Sequence, residues 1–461
     1  MLNLSDSKPP RAQARLQAAL GACLVWLGWV CSAHAQASHP LEGLQRDLAQ
    51  YRKGFLALDR SYTAAARQSA EVRLAKLENE LAGMDPPRVE LTLAQITALA
   101  DNAHTASSVP ARSRRYARVQ MRLAPFGEEM VVVRTLEADA DLLGARLVSV
   151  DGVPMQTLRP LYRSLAGGAV AWRYRFAPYF LEGPPQLRAF GVGQGDDPPV
   201  YAFVGVDGKA TTRSFAVSAP GGARALGGPT RFLMLSMDPK EAPGWRALLA
   251  VEQVPWTLQE PDKRLRMRHD RHLDAVFIDL RQTLDSDSEP LAPFFAAVNR
   301  LIEEKQPQHL VLDLRLNSGG DLTKAREFAQ SLPSKVPGRI FALTSPWTFS
   351  AAISTLGYLK QAAPERVRIV GEAVGDRLEF FAEGRWAVLP HSGDVHLFST
   401  ERHEYRQGCA GHRDCHKNVV THPIAVESLA PDILAPWTVE TYRAGQDPAL
   451  EAVARALGRT P

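Results

Sequence analysis

The stretch Leu310-Val-Leu-Asp-Leu-Arg-Leu-Asn-Ser-Gly-Gly320 is followed in this chain by Leu343-Thr-Ser-Pro-Trp-Thr-Phe-Ser-Ala-Ala352. The first segment predicts a buried strand that runs into a Gly-Gly turn. The second predicts a strand end, a bend at Pro346 and a serine, Ser350, that opens a helix. Such a pair suits acyl-transfer chemistry, because one turn offers backbone N–H groups and the other a hydroxyl nucleophile.

Strands and helices alternate on both sides of these two segments. An amphipathic helix over Ala292–Glu304 separates the predicted strands Asp274–Leu280 and Gln308–Leu316, and a further helix is expected over Ser350–Gln361. The alternation and the apolar strands predict an α/β fold with a layered core and buried strands.

The two preceding regions have other patterns. Residues 41–81 repeat apolar positions at helical spacing, Pro86-Pro87 breaks this pattern, and a shorter helix is expected over Thr92–Ala100, which together predict an N-terminal helical cap. Residues 115–219 are β-rich, and the tracts 191–199 and 220–222 predict loops or a linker. Residues 160–260 give no clear pattern, and their aromatic residues are interpreted as core.

Composition restricts the class of protein. The chain has 461 residues with 45% hydrophobic and 23% charged residues, which is typical of a soluble protein of two or three domains. Its net charge of +4 is small, and no basic run with interleaved aromatics is present, so a nucleic-acid surface is not expected.

The first 35 residues are typical of a cleaved secretory signal. Arg11 and Arg15 precede an apolar stretch that ends in Ser32-Ala33-His34-Ala35. A lipoprotein signal at Cys23 is disfavoured because the apolar run before it is too short. No later segment reaches about 18 continuous apolar residues, so we expect a periplasmic or secreted protein without a transmembrane span.

Signal cleavage would leave two cysteines, Cys409 and Cys415, which are expected to form a disulfide in an oxidising compartment. His412 and His416 lie nearby and leave a metal site or free thiols as alternatives. Zinc motifs usually have two separated ligand pairs and this loop has one, so no metal is expected.

The Asp-Leu-Arg-x-Asn-x-Gly-Gly segment and the serine segment resemble the core of the tricorn/C-terminal-processing serine peptidases, peptidase family S41. The resemblance implies a core of ClpP/crotonase-like βαβ units, and Leu142–Val153 resembles the PDZ-like segment of that family. The expected organisation is a signal peptide (1–35), a helical cap (36–105), a β-rich PDZ-like region (106–228), a catalytic domain (229–445) and a C-terminal helix or tail (446–461).

Ser350 is the candidate nucleophile. As an alternative it would only cap its helix, because serine is a favoured N-cap residue. The resemblance implies an oxyanion hole built from the backbone N–H groups of Gly319 and Ala351, with Gly320 possible in place of Gly319. The family often has a glutamate three residues after the serine, where this chain has Ile353.

A serine nucleophile needs a base. One branch of the family uses a lysine, but this chain has Asp376 at that place, and a carboxylate cannot act as a desolvated amine base. The segment Asp101-Asn-Ala-His104-Thr105 resembles the histidine motif of the tricorn-like branch, which makes His104 the candidate base. Other histidines remain as alternatives, namely His269, His272, His391 and His403.

The third member should be a carboxylate that orients the imidazole. The segment around Glu427 resembles the corresponding family stretch and makes Glu427 the candidate, with Glu379 and Glu383 as alternatives. Asp313 and Arg315 are interpreted as an internal polar pair, and Asn317 as the residue that holds the Gly-Gly turn.

The resemblance therefore implies an exported serine endopeptidase that acts on polypeptides without a cofactor. A binding protein for a peptide or an apolar ligand on the same fold is the alternative, because a fold does not dictate an activity. An esterase or amidase with the same triad is a third reading. The sequence does not specify an oligomeric state.

Overall fold

The structure is a computed structural model that describes residues 40–108, 115–193, 195, 197–218 and 244–460. The expected signal segment and the tract 220–222 lie outside the described residues. Helices and several sheets are interleaved along the described chain, which confirms the expected α/β class. Among the described residues, no helix combines the length and the apolar character needed to cross a bilayer.

The N-terminal part is helical. Its helices are α1 (Pro40–Tyr51), which continues into a π-helical turn over Arg52–Leu56, α2 (Ala64–Glu80) and α3 (Pro86–Ala98). Helix α3 begins earlier than the expected Thr92, because Asp85 accepts a hydrogen bond from the N–H of Arg88 while Pro86 and Pro87 occupy the first helical positions. Proline is tolerated there because those N–H groups have no partner inside a helix.

A β-rich region follows, and its described residues include four short helices. Its elements are β1 (Ala106–Ser107), β2 (Arg118–Val119), β3 (Met121–Phe126), β4 (Glu129–Leu136), β5 (Arg146–Val150), β6 (Val153–Pro154), α4 (Met155–Arg163), α5 (Val170–Tyr174), α6 (Ala177–Leu181), α7 (Pro184–Ala189), β7 (Val200–Val204), β8 (Ala210–Ser214), β9 (Val217–Ser218) and β10 (Trp245–Ala247). One sheet has the order β10-β4-β5-β7-β8, with β3 beside β4 and β6 beside β5. Helices α4 to α7 pack on it through residues such as Leu158, Phe180 and Leu187.

The remaining chain builds the core and its additions. Its elements are β11 (Leu265–Asp270), β12 (Ala275–Leu280), α8 (Leu291–Lys305), β13 (His309–Asp313), α9 (Arg326–Ser331), β14 (Ile340–Thr344), α10 (Ala351–Ala362), β15 (Val367–Gly371), β16 (Glu379–Ala382), β17 (Arg385–Val388), β18 (Val395–Phe398), β19 (Glu401–Glu404), α11 (Lys417–Thr421), β20 (Ile433–Leu434), α12 (Val439–Arg443) and α13 (Pro448–Ala456). The core sheet has the order β11-β12-β13-β14-β15-β20, and all its pairs are parallel except β11 with β12.

The core sheet is covered on both faces, which explains its unbroken apolar strands. In β13, Leu310 and Leu312 pack on one face with α8, α9 and α10, while Val311 packs on the other face with α13. When both faces of a strand are buried, consecutive residues are all apolar, and the sequence shows a continuous apolar run. Helix α13 therefore covers one face of the core sheet, although the sequence predicted a separate C-terminal helix or tail.

Two small antiparallel pairs connect the core to the N-terminal helices. Strand β16 pairs with β19, and β17 pairs with β18, which also pairs with β1. Ala387 and Phe398 from the second pair, together with Leu389 directly after β17, belong to the same apolar cluster as α1 to α3. This contact brings the chain that follows α3 to the carboxyl edge of the core sheet, where the candidate site lies.

Candidate active site

Ser350 lies at the junction between the loop after β14 and the start of α10. Its backbone has φ 56° and ψ −126°, and its side chain makes no capping hydrogen bond. A positive φ is uncommon for a residue with a side chain, and such strain concentrates at functional sites. The capping alternative is therefore not supported, and the half-buried hydroxyl is available for chemistry.

The Gly-Gly turn after β13 lies against Ser350. A Cβ added to Gly319 would come within 2.6 Å of Ser350 Cβ, and Gly319 has φ 104°, so a side chain fits neither the space nor the backbone. Asn317 holds the turn as expected: its side chain donates to the Leu280 carbonyl at 2.8 Å and accepts from the Gly319 N–H at 2.8 Å. Its carbonyl also accepts from the N–H of Phe349, beside Ser350, at 3.0 Å.

The same hydrogen bonds bear on the choice of oxyanion donors. The N–H of Gly319 is already bonded to Asn317, whereas within the described residues no hydrogen bond uses the N–H of Gly320 or of Ala351. Ala351 is the first residue of α10, where backbone N–H groups have no partner inside the helix. The N–H groups of Gly320 and Ala351 therefore remain available as donors, whereas that of Gly319 does not.

His104 packs against Phe349, the residue before Ser350. Its imidazole is 8% exposed and stacks between Phe349, at a ring-centre distance of 4.2 Å, and Phe380, at 4.9 Å. Its Nδ1 lies 3.3 Å from Oδ2 of Asp376, and its Nε2 is buried without a hydrogen-bond partner. An imidazole fixed through Nδ1 presents Nε2 as the nitrogen that exchanges a proton.

The carboxylate against His104 belongs to Asp376 and not to Glu427. Asp376 is 5% exposed, and its second oxygen accepts from the N–H of Arg377 at 2.9 Å. Glu427 is exposed, and the structure does not bring it to the imidazole. Asp376 stands where one branch of the resembled family has a lysine. A carboxylate there cannot act as an amine base, but it can orient an imidazole.

Several contacts fix the segment that carries His104. The side-chain amide of Asn102 donates to the Phe381 carbonyl at 2.9 Å and accepts from the Phe381 N–H at 3.0 Å, which attaches this segment to β16. Arg377 donates to the carbonyl and the carboxylate of Asp101, both at 2.8 Å. Thr105 donates to Asp59 at 2.7 Å. The base therefore sits on a segment anchored at both ends.

The alternative histidines lie elsewhere. His269 is on β11, His272 contacts the carbonyl of Thr460 at 2.7 Å, and the backbone N–H of His391 is bonded to Asp47 in the cap. His403 lies on the opposite side of Phe380 from His104, and burial lowers its pKa. The structure brings none of these four to Asp376.

The expected polar pair under the site is also present. Arg315 donates to both oxygens of Asp313, at 3.0 and 2.7 Å, and to both oxygens of Asp447 on the C-terminal side of the chain, at 2.8 and 2.9 Å. The buried Asp313–Arg315–Asp447 group joins the end of β13 to the start of α13. This group is structural, as expected from the sequence for Asp313 and Arg315.

The expected disulfide between Cys409 and Cys415 is confirmed. It closes a short loop after β19. The backbone of Cys415 also pairs with that of Arg402 on β19 in an isolated parallel β-bridge. Since both sulfurs are in the disulfide, neither is available as a metal ligand in this state.

No family model matches the sequence, and the search of curated proteins found no significant match. Among solved structures, mature CPAF matches with a TM-score of 0.55 and 12% identity, covering 90% of this chain and 96% of that chain. This chain has the fold of mature CPAF. A structure of mature CPAF complexed with lactacystin matches with a TM-score of 0.52 and 12% identity, covering 90% and 98% of the two chains.

A structure described as the photosystem II D1 C-terminal processing protease also matches, with a TM-score of 0.37 and 16% identity over 92% of this chain and 98% of that chain. Since identities this low show only the fold, the comparison with CPAF supports the arrangement of elements described above. The chemistry of the site rests on its own residues.

Proposed function

We propose that this protein is a serine-type peptidase of the S41 kind, with Ser350, His104 and Asp376 as its catalytic triad. One observation carries the proposal. A buried imidazole is held through Nδ1 by a buried carboxylate, leaves Nε2 without a partner, and stacks on the residue next to a strained serine. A base oriented in this way is what activates a serine hydroxyl.

In the proposed reaction, Ser350 Oγ attacks the carbonyl carbon of the peptide bond while His104 Nε2 takes the hydroxyl proton. Asp376 keeps the proton of Nδ1 in place and stabilises the imidazolium ion that forms. The same proton then passes to the leaving amine as the C–N bond breaks. A water molecule next gives a proton to His104 and attacks the acyl carbon, and the proton returns to Ser350 as the acid product leaves.

The negative charge on the carbonyl oxygen would be held by the N–H groups of Gly320 and Ala351. The start of α10 adds the positive end of its helix dipole at the same place. The expectation from sequence named Gly319 first, but its N–H is engaged with Asn317. Gly319 would instead provide room for the serine side chain.

We further propose a polypeptide substrate and export from the cytoplasm. The disulfide between Cys409 and Cys415 supports export, because such bonds persist in oxidising compartments. The expected signal at residues 1–35 has the composition of a secretory signal and lies outside the described residues.

Labelling with a fluorophosphonate tests the triad directly. The purified mature protein should acquire one label, located on Ser350 by mass spectrometry, and the label should be lost in Ser350→Ala and strongly slowed in His104→Ala. His412→Ala is the matched control, because this histidine is exposed and lies in the loop closed by the disulfide. A protein that leaves Ser350 unlabelled while a control serine hydrolase reacts would instead be a binding protein on this fold.

A further inference from the structure

A second cluster of side chains lies on the opposite side of Phe380 from His104. It consists of Glu383, in the turn after β16, His403 on β19 and His416 just after the disulfide loop. One possible ligand atom from each of the three lies within 4.8 Å of the others. The proposed peptide hydrolysis uses none of them.

His403 is the buried member of the cluster. It is 2% exposed, and its Nδ1 lies 3.0 Å from the hydroxyl of Tyr405, which is itself 2.7 Å from Ser354 Oγ. Its Nε2 is 3.3 Å from Oε1 of Glu383 but is buried without a hydrogen bond. A buried nitrogen that faces a carboxylate and lacks a hydrogen bond calls for an explanation.

His416 is held in the same manner. Its Nδ1 lies 2.8 Å from Oε2 of Glu401, and its ring stacks on that of His403 at a ring-centre distance of 5.3 Å with an angle of 6° between the planes. Histidines that bind metals usually donate their other ring nitrogen to an outer acceptor, often a carboxylate, which fixes the ring and its tautomer. Both histidines have such an outer partner at Nδ1. Nε2 of His403 has no hydrogen bond, and Nε2 of His416 lies 3.2 Å from the side-chain amide of Asn418, a contact that a bound metal ion would replace.

We propose that Glu383, His403 and His416 bind one divalent transition-metal ion of the zinc class. Two imidazoles and one carboxylate are a common set of protein ligands for Zn²⁺, with a fourth position open to water. Imidazole ligands favour Zn²⁺ over Mg²⁺ or Ca²⁺, which prefer oxygen. This departs from the expectation from sequence, where a metal was considered only with the cysteines, His412 and His416.

The surroundings hold the three ligands at fixed positions. Strands β16 and β19 are paired over Glu379–Ala382 and Glu401–Glu404, and Glu383 directly follows β16, so this ladder holds Glu383 near His403. The Cys409–Cys415 disulfide and the backbone β-bridge between Cys415 and Arg402 hold His416 beside β19. The site is therefore built on paired strands and a cross-linked loop.

Cobalt binding tests the site without reference to peptidase activity, so failure of the proposed triad and failure of this site are distinguishable. The full mature protein, without an affinity tag and with its disulfide intact, should bind one Co²⁺ with the intense visible absorption of a four-coordinate site, and Zn²⁺ should displace it. His416→Gln should weaken Co²⁺ binding by at least about tenfold, and Glu401→Gln, which removes the outer carboxylate, by about 10- to 100-fold.

His412→Gln is the control, because this histidine lies in the same loop and is exposed. Its Co²⁺ affinity should equal that of the wild type. If His416→Gln does not fold, Glu383→Gln replaces it, since that side chain is 39% exposed. Equal binding by the wild type and by these ligand variants, or no Co²⁺ spectrum in the wild type, would overturn the proposal.

Discussion

At the scale of single residues, the assignment of the third triad member is the most direct to test. Asp376→Asn keeps the shape of the side chain but removes the charge that orients His104 and stabilises its protonated form. In a Ser-His-Asp triad such a change lowers kcat by about 10,000-fold. We expect a loss of about 100- to 10,000-fold in the hydrolysis of a peptide substrate, with KM changed far less.

Glu427→Gln is the matched change at the carboxylate that the sequence favoured. Because Glu427 is exposed, this variant should keep the wild-type kcat. A large loss in Glu427→Gln together with a normal rate in Asp376→Asn would return the orienting role to Glu427.

The contact between Gly319 and Ser350 gives a second prediction at this scale. In Gly319→Ala the new methyl group would lie 2.6 Å from Ser350 Cβ and 2.9 Å from the Phe349 carbonyl oxygen, so the serine loop must shift. A displacement of about 1 Å at a reacting group can cost about 100-fold in rate. We expect a loss of this order in fluorophosphonate labelling and in kcat.

Gly208→Ala separates the clash of the added methyl group from the strain of placing a side chain at a positive φ. Gly208 also has a positive φ, 80°, but a Cβ there would meet no heavy atom within 4 Å. This variant should lose about 1 kcal/mol of stability and keep the wild-type labelling rate. Equal labelling rates in the two alanine variants would contradict the proposed contact.

At the scale of elements, Glu182 links the middle sheet to its helices. It follows α6, is fully buried, accepts from the Leu123 N–H at 2.8 Å and pairs with Arg118 and Arg122. Burial lowers the pKa of Arg122 to about 10. Removal of one partner from a buried ion pair costs about 3 to 5 kcal/mol, because the other charge stays buried. Urea unfolding of Glu182→Gln should show a loss of this size.

Glu137→Gln provides the comparison on the same sheet. Glu137 pairs with Arg246, and both side chains are exposed, at 61% and 60%. Exposed ion pairs contribute about 0 to 1 kcal/mol. A similar loss of stability in both glutamine variants would show that burial does not govern these pairs.

The elements differ in how well the sequence predicted them. The core strands were predicted because both faces are buried, which leaves an unbroken apolar run such as Leu310–Leu312. The start of α3 was missed because Pro86 and Pro87 were interpreted only as a break. Helices α5 and α6 have five residues each, too few to show a helical period, and they are held by tertiary packing on the middle sheet.

The residues of the candidate site also differ in how well the sequence predicted them. Ser350 and the Gly-Gly turn belong to a local strand–turn–helix pattern, and His104 belongs to a short motif. Asp376 lies in the loop between β15 and β16, where no local period marks the carboxylate that meets a residue far away in the chain. The pairing of His403 with His416 likewise depends on two segments that only the fold brings together.

At the scale of the whole molecule, a partly buried glutamate, Glu372, makes stability depend on pH. Burial raises the pKa of Glu372 to about 7, against an opposing effect of Arg315. In the unfolded chain this carboxyl titrates near about 4.3, so between that value and about 7 the folded protein binds the extra proton. The free energy of unfolding should therefore fall as pH rises through this window.

Glu372→Gln should remove this slope. Each unit of pKa difference is worth about 1.4 kcal/mol, so the variant should gain roughly 3 to 4 kcal/mol of stability relative to the wild type above pH 7. Glu365→Gln is the control, because Glu365 is exposed. Denaturant unfolding across the pH range measures both, and an unchanged slope in Glu372→Gln would contradict the assignment.

The pairing of β1 with β18 has a consequence for biosynthesis. Strand β1 follows directly after His104, yet its partner Val395–Phe398 is among the later parts of the chain to leave the ribosome. A nascent or truncated chain that ends before β18 carries Ser350 and His104 without the strand that docks the histidine segment. Hydrolytic power would then emerge only near the end of translation, which shields the unfinished polypeptide from its own active site.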